Sequence, residues 1–256
     1  MRYGADNAQV QQLPAGVIAY PSKLLGRTDV AKDTMAFQFE KPRNFLFRAG
    51  QSVDVTLLAP AQDSPDTLTH AFSIASDPSD EELMIATRMR DTAFKRSLSA
   101  LPIGTEVRIE GAMGSFTLHN NTARPAVLLA GGIGITPFLS IVSDARKRGL
   151  HHRIILFYAN RRLEDAAFID ALSNLKRMNP RFSFVPTLTG LRSNHGEWKG
   201  EIGHISPEML HRHVGKLQGP IFYVAGPPAM VAAARRALVE VAVDEDDIRA
   251  EEFAGY

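Results

Sequence analysis

Near residue 122 the chain changes rhythm, and only a few folds satisfy both halves. Before that point short β-rich runs follow closely: 34–39 (TMAFQF), 52–58 (SVDVTLL), 71–75 (AFSIA), 83–88 (LMIATR) and 106–110 (EVRIE). Clusters of Gly, Pro, Asp and Ser separate them, which predicts an antiparallel barrel or sandwich. One helix interrupts the pattern over 93–100. After residue 122, strands alternate with helices. The run 126–130 (AVLLA) is continuously apolar and ends in glycines, as a strand covered on both faces would be. A helix over 137–148, a strand over 153–158 (RIILFY), a helix over 166–178 and a strand over 182–186 follow. A short helix over 208–214, a strand over 221–225 (IFYVA) and an alanine-rich helix over 228–241 complete the half. That alternation predicts a doubly wound parallel sheet. The expected architecture has two domains, a β-barrel over 1–122 and an α/β nucleotide-binding domain over 123–256.

Composition narrows the chemistry. The 256 residues contain no cysteine, which excludes disulfides, thiolate-ligated clusters and thiol nucleophiles within them. Net charge is +1, from 29 basic and 28 acidic side chains, so nothing points to nucleic acid. No segment approaches the ~20 apolar residues of a membrane span, and the polar start MRYGADNAQVQQLPAG lacks a secretory core. The expected location is the cytoplasm. No pattern sets an oligomeric state. His151 with His152, and His211 with His213, lack a third ligand at a metal-site spacing, so no metal site is expected and these histidines read as surface residues.

The segment LLAGGIGITPF, 128–138, carries the strongest local signal. An apolar strand ends in Gly131, Gly132 and Gly134, and Pro137 stands where a helix can begin. Glycines let backbone N–H groups approach a pyrophosphate, and the helix start adds partial positive charge. Alone, such a run fits an unliganded strand-to-helix turn equally well.

Four segments together resemble the ferredoxin–NADP reductase superfamily. GGIGITPF resembles its nicotinamide-dinucleotide turn, HAFSIAS (70–76) its flavin motif, FRAGQSVDV (47–55) the strand before that motif, and YVAGPPAM (223–230) its second nicotinamide-side turn. They occur in the family's order and span nearly the whole chain. The resemblance implies bound FAD, with FMN an open alternative, and NADPH or NADH as electron donor. It implies that Ser73 presents its hydroxyl to the hydride-accepting flavin nitrogen and that Phe72 packs on the ring, with His70 and Ala71 in the same motif. Arg88 and Lys95 would share the flavin phosphate's charge, or belong to a solvated basic face, and Thr87 would lie in the same cofactor site. Gly132, Gly134 and Thr136 would lie along the nicotinamide dinucleotide, with Gly226 and Pro227 as the opposite wall. Met230 reads as core. Arg161, after the strand RIILFY, would meet a 2′-phosphate, although Glu164 and Asp165 stand close by and a solvated arginine pair fits nearly as well. Tyr256 or Phe253 would cover the ring, or the tail is frayed.

The sequence departs from the family pattern in three places. His70 replaces an arginine, losing its fork and permanent charge, so Arg88 and Lys95 would supply charge. Arg96 reads as part of a solvated face. Phe72 replaces a tyrosine and forgoes one hydrogen bond, worth ~1 kcal/mol at most. Ala225 replaces a cysteine beside the nicotinamide. The implied activity is hydride transfer from NAD(P)H to flavin, then electron transfer to a small carrier protein, an oxygenase component or a small molecule. A flavin-binding module with little turnover is the rival, and a Rossmann reductase without flavin leaves the β-rich half without work. Lys23, Arg27, Lys41, Arg43 and Arg48 offer a basic face for an acidic partner, or scattered solvated charge.

Overall fold

The computed structural model describes residues 18–58, 68–191, 198–215 and 219–253. Its first half is one six-stranded antiparallel sheet: β1 (Ala19–Ala31), β2 (Thr34–Glu40), β3 (Ser52–Leu57), β4 (Thr69–Ser73), β5 (Glu82–Arg88) and β6 (Glu106–Met113). The order is β4-β3-β6-β1-β2-β5. Ile74, just past β4, bridges Ile85 of β5, and the Ala75 N–H donates to the Met84 carbonyl at 2.8 Å, so the sheet closes into a barrel. Alternation fills its interior: Phe37, Phe39, Val53, Val55, Phe72 and Ile85 form one buried cluster. Helix α1 (Ala93–Ala100) packs Phe94 and Leu98 into that cluster. Its N-cap, Thr92, accepts from the Lys95 N–H.

The second half is a parallel sheet of β7 (Ala126–Gly131), β8 (Ile154–Asn160), β9 (Phe182–Leu188), β10 (Glu201–Ile202), β11 (Ile221–Gly226) and β12 (Ile248–Glu252), ordered β10-β9-β8-β7-β11-β12. Helices α2 (Thr136–Lys147), α3 (Ile169–Met178), α4 (Pro207–His213) and α5 (Pro228–Glu240) cover it. β7 shows why its run is wholly apolar. Ala126, Leu128 and Ala130 join the cluster under α2 and α3, whereas Val127 and Leu129 join the one under α4 and α5. Strand order reverses between β7 and β11, the place where open parallel sheets bind ligands beyond their carboxyl ends.

Three strands were not foreseen. β1 is the longest, yet only three of its thirteen residues are buried and it carries Pro21, Ser22 and Lys23, so it lacks an apolar stripe. β10 has two residues, and β12 reads IRAEE, a charged edge strand that pairs, among the described residues, with β11 alone. Helix α3 starts at Ile169, not at 166, because Phe168 takes a left-handed φ of 59°.

Barrel and sheet share a core. Ala49, Ala75 and Phe116 pack with Phe138 and Ile141 of α2, and Ser140 Oγ donates to the Ser76 carbonyl at 2.6 Å. At the other side of the seam, Lys32 pairs with Glu164 at 2.9 Å and Arg88 with Asp165 at 3.6 Å. No helix among the described residues is long and apolar enough to cross a membrane.

Candidate active site

β7 and β11 are neighbours in register, Ala130 beside Ala225, so their glycine turns meet at the sheet's switch point. Contact there is backbone to backbone. A Cβ on Gly134 would lie 2.2 Å from the Ala225 carbonyl oxygen and 2.7 Å from Gly226 Cα. A Cβ on Gly131 would meet Met230 Cγ at 2.9 Å, which explains Met230 as the side chain filling the space beneath the turn. Gly132 differs. It takes a φ of 52°, and a Cβ there would meet nothing within 4 Å, so its backbone faces open space. Thr136 is buried, and its hydroxyl donates to the Ile133 carbonyl at 3.1 Å.

Across the seam, β4 ends at Ser73, paired with Ser52 of β3. A cavity of about 290 Å³ lies between them and the sheet, lined by Ser52, Ala71, Phe72, Ser73, Ala86 and Thr136. Glu251, Glu252 and Phe253 form its remaining wall. Glu251 is also shared with an adjoining groove of about 480 Å³ that runs past Ser115 and Arg249. Ser73 makes no side-chain hydrogen bond among the described residues, so its hydroxyl is available to a ligand. Slot, serine and glycine turns fit a flat ring approached by a second flat ring.

The residues read as phosphate ligands also gather. Lys95 is buried, and its Nζ donates to the Arg88 carbonyl at 2.9 Å. Burial lowers its pKa, and the nearby charge of Arg90 adds to this. His70 stacks on Phe72 with centroids 4.9 Å apart, and both rings contact Phe94. Thr87 is fully buried, and it is its neighbour Ala86 that lines the slot. Arg161 stands exposed at the carboxyl end of β8, whereas Arg162 pairs with Glu164 at 3.2 Å. Gly226 is buried and Pro227 caps the start of α5. Tyr256 lies outside the described residues. Phe253, bound through its N–H to the Gly226 carbonyl at 3.0 Å, joins Phe72 as an aromatic at the slot.

Sequence reasoning missed Glu251. Burial pushes its carboxyl up to about 7. The only hint was a pair of acids just before an aromatic near the end of the chain. The histidine expectation needs correction. His152 is 4% exposed, and its Nε2 donates to the His119 carbonyl at 2.8 Å. His119, also buried, has Nε2 3.0 Å from the Arg124 carbonyl, which can only accept, so that nitrogen carries the proton. Its Nδ1 then accepts from the Tyr223 hydroxyl at 2.9 Å, and that oxygen accepts from the His119 N–H and from Arg249. Burial lowers both histidines' pKa values. His213 bonds Glu201 at 2.6 Å. No cluster of three or more metal-ligating side chains occurs among the described residues. Two members of the basic set also have structural partners: Arg27 holds the carbonyls of Ser99 and Leu101, and Lys41 those of Pro78 and Asp80.

A closed antiparallel barrel and a doubly wound parallel sheet thus meet at one cleft, lined by Ser73 from the first and Thr136 from the second. The family model described as "Oxidoreductase NAD-binding domain" matches residues 128–236. The phenol 2-monooxygenase reductase component DmpP of Pseudomonas sp. (strain CF600) is 28% identical over 228 residues, covering 88% of this chain and 63% of that protein. Ferredoxin–NADP reductase B of Sorangium cellulosum (strain So ce56) is 26% identical over 227 residues, 86% of this chain and 90% of that one. The structure of a ferredoxin NADP+ reductase from Neisseria gonorrhoeae with bound FAD and NADP superposes with a TM-score of 0.76 at 21% identity, over 91% of this chain and 98% of that one. Residues 128–236 thus match an oxidoreductase NAD-binding domain, and over most of its length the chain is similar to ferredoxin–NADP reductases and oxygenase reductase components. It spans less than two thirds of the DmpP length.

Proposed function

We propose that this chain is an NAD(P)H-dependent flavoprotein reductase that holds FAD and passes electrons to a separate protein, of the kind an oxygenase component represents. The observation that carries the reading is the shared slot: Ser73 on one wall, Thr136, just past the first glycine turn, on another, Glu251 and Phe253 on a third. Bound flavin supplies the ring atom that takes the hydride. This chain's residues do the rest. Phe72 and Phe253 give apolar surface for the ring. Ser73 offers a hydroxyl that both donates and accepts, so it suits the oxidised and reduced ring alike. Glu251, half-neutral near pH 7, can take or return a proton at the slot and release it along the adjoining groove. Lys95 and Arg88 hold phosphate charge in place of the arginine that His70 replaces.

On the nucleotide side Gly132 lets the pyrophosphate approach the start of α2. Gly226 and Pro227 keep the opposite wall thin, so that two rings come within reacting distance. Arg161, with no ion pair among the described residues, offers a fork to a 2′-phosphate and favours NADPH. The oxygenase-type acceptor rests on the relatives, several of which are reductase components of monooxygenases and dioxygenases.

The test is anaerobic. Purified protein loaded with FAD should be yellow and should bleach on adding NADPH or, more slowly, NADH. Yellow protein that neither dinucleotide bleaches supports a flavin-binding module instead. Colourless protein that rejects added flavin refutes both readings.

A further inference from the structure

A second cavity, of about 430 Å³, opens on the seam between barrel and sheet. It shares no lining residue with the slot beside Ser73. Its size suits a small ligand, and domain seams are common places for such sites. Phe47, Leu118, Ile141 and Leu150 give it apolar walls. Two guanidinium groups also line it. Arg148 is already engaged with Asp144 at 3.2 Å, whereas Arg48 is exposed and joins no ion pair among the described residues. Among the other polar residues of the lining, His152 differs in having a buried ring nitrogen left over. Its Nε2 donates to the His119 carbonyl, so Nδ1 is left as an acceptor, and that buried atom has no partner among the described residues. A buried acceptor without a donor is uncommon in folded proteins and calls for one.

These three features specify complementary chemistry. An apolar body matches the walls. A carboxylate matches Arg48, and the Asp144 carboxyl beside Arg148 steers it away from the second guanidinium. A hydroxyl donor matches His152 Nδ1. We propose that this cavity binds a small aromatic acid bearing a ring hydroxyl, at a site separate from the flavin and nicotinamide slot. The bound acid would touch the barrel at Phe47 and Arg48 and α2 at Ile141, joining the two domains.

The test uses the full chain loaded with FAD and the probe 3-hydroxybenzoate, followed by calorimetric titration. One equivalent should bind with a Kd of about 0.1–1 mM, ordinary for a ligand of this size. Benzoate, lacking the donor, should bind about tenfold more weakly. Arg48→Glu, a surface change that leaves the fold intact, should weaken 3-hydroxybenzoate at least ~10-fold. Saturating NADP+ should leave the titration unchanged. No binding heat, equal affinity for the two acids, an unaffected Arg48→Glu variant or displacement by NADP+ would each overturn the proposal. None of these results bears on flavin bleaching, so the inference and the reductase reading fail separately.

Discussion

The contact between the two glycine turns gives the sharpest single substitution, Gly134→Ala. The added methyl would sit 2.2 Å from the Ala225 carbonyl oxygen and 2.5 Å from its carbon, against an ordinary contact of at least 3.4 Å. The shortfall, 3.4 minus 2.2, is about 1.2 Å. Both partners are backbone atoms of β11, so no side chain can rotate away. The carboxyl ends of β7 and β11 must part, or the first turn of α2 must shift. Overpacking of this kind costs about 1–3 kcal/mol, and the rigidity of the partners puts this case at the upper end. At about 2–4 °C per kcal/mol, Tm should fall by roughly 6–12 °C. The same displacement moves the nicotinamide wall by about 1 Å, which costs on the order of 100-fold in reduction rate. Differential scanning calorimetry and anaerobic stopped-flow reduction measure the two effects. Gly149→Ala is the control. Unlike Gly134 it carries a positive φ, 62°, but a Cβ there meets nothing within 4 Å and it lies beyond the far end of α2. It should cost about 1 kcal/mol and leave the reduction rate alone. Gly134→Ala with parental Tm and parental kinetics would refute the close-contact account.

Four further outcomes follow from the same geometry. Ser73→Ala should keep flavin bound yet slow its reduction at least ~10-fold; unchanged stopped-flow traces would remove Ser73 from the reacting centre. Glu251 has a native carboxyl at about 7, above its ordinary 4.5, so the native state binds more protons than the unfolded chain between those values. Stability should therefore fall as pH rises from about 4.5 to 7, and Glu251→Gln should flatten that slope in urea unfolding; a slope equal to the parent's would contradict the burial argument. Lys95→Met removes the closer, 2.9 Å donor to the Arg88 carbonyl, costs about 1–3 kcal/mol of stability and should loosen flavin, read by dialysis and absorbance. Arg161→Gln should raise KM for NADPH about tenfold or more while sparing NADH, and an equal effect on both would deny it contact with a 2′-phosphate.

Where one face or one stripe is apolar, the sequence alone located the elements well. Helix α1 was read at its observed bounds because Phe94 and Leu98 repeat at helical spacing before a proline–glycine turn. β7 and β11 stood out because both faces of each are covered. Edge and seam elements were less legible. β12 is a charged pentapeptide whose strand character comes from pairing with β11, and its Glu251 lines the slot only because of what folds around it. His119 and His152 are 33 positions apart in the chain, and only the packing of the connecting segment against the parallel sheet buries them together. Arg27 and Lys41 look like free surface charge until the carbonyls they bind are in place. Long-range partners decide such cases, and local pattern contains no record of them.

Ring stacking is the central claim, and it has a direct optical signature. Flavin-loaded protein reduced anaerobically and titrated with oxidised nicotinamide dinucleotide should develop a broad long-wavelength charge-transfer band, which arises only when the two rings overlap face to face. That band should be saturable and should be lost in Gly134→Ala, where the nicotinamide wall is displaced. Tight dinucleotide binding without any such band would mean that the two rings occupy separate places, and the shared slot between Ser73 and the glycine turns would no longer explain the protein.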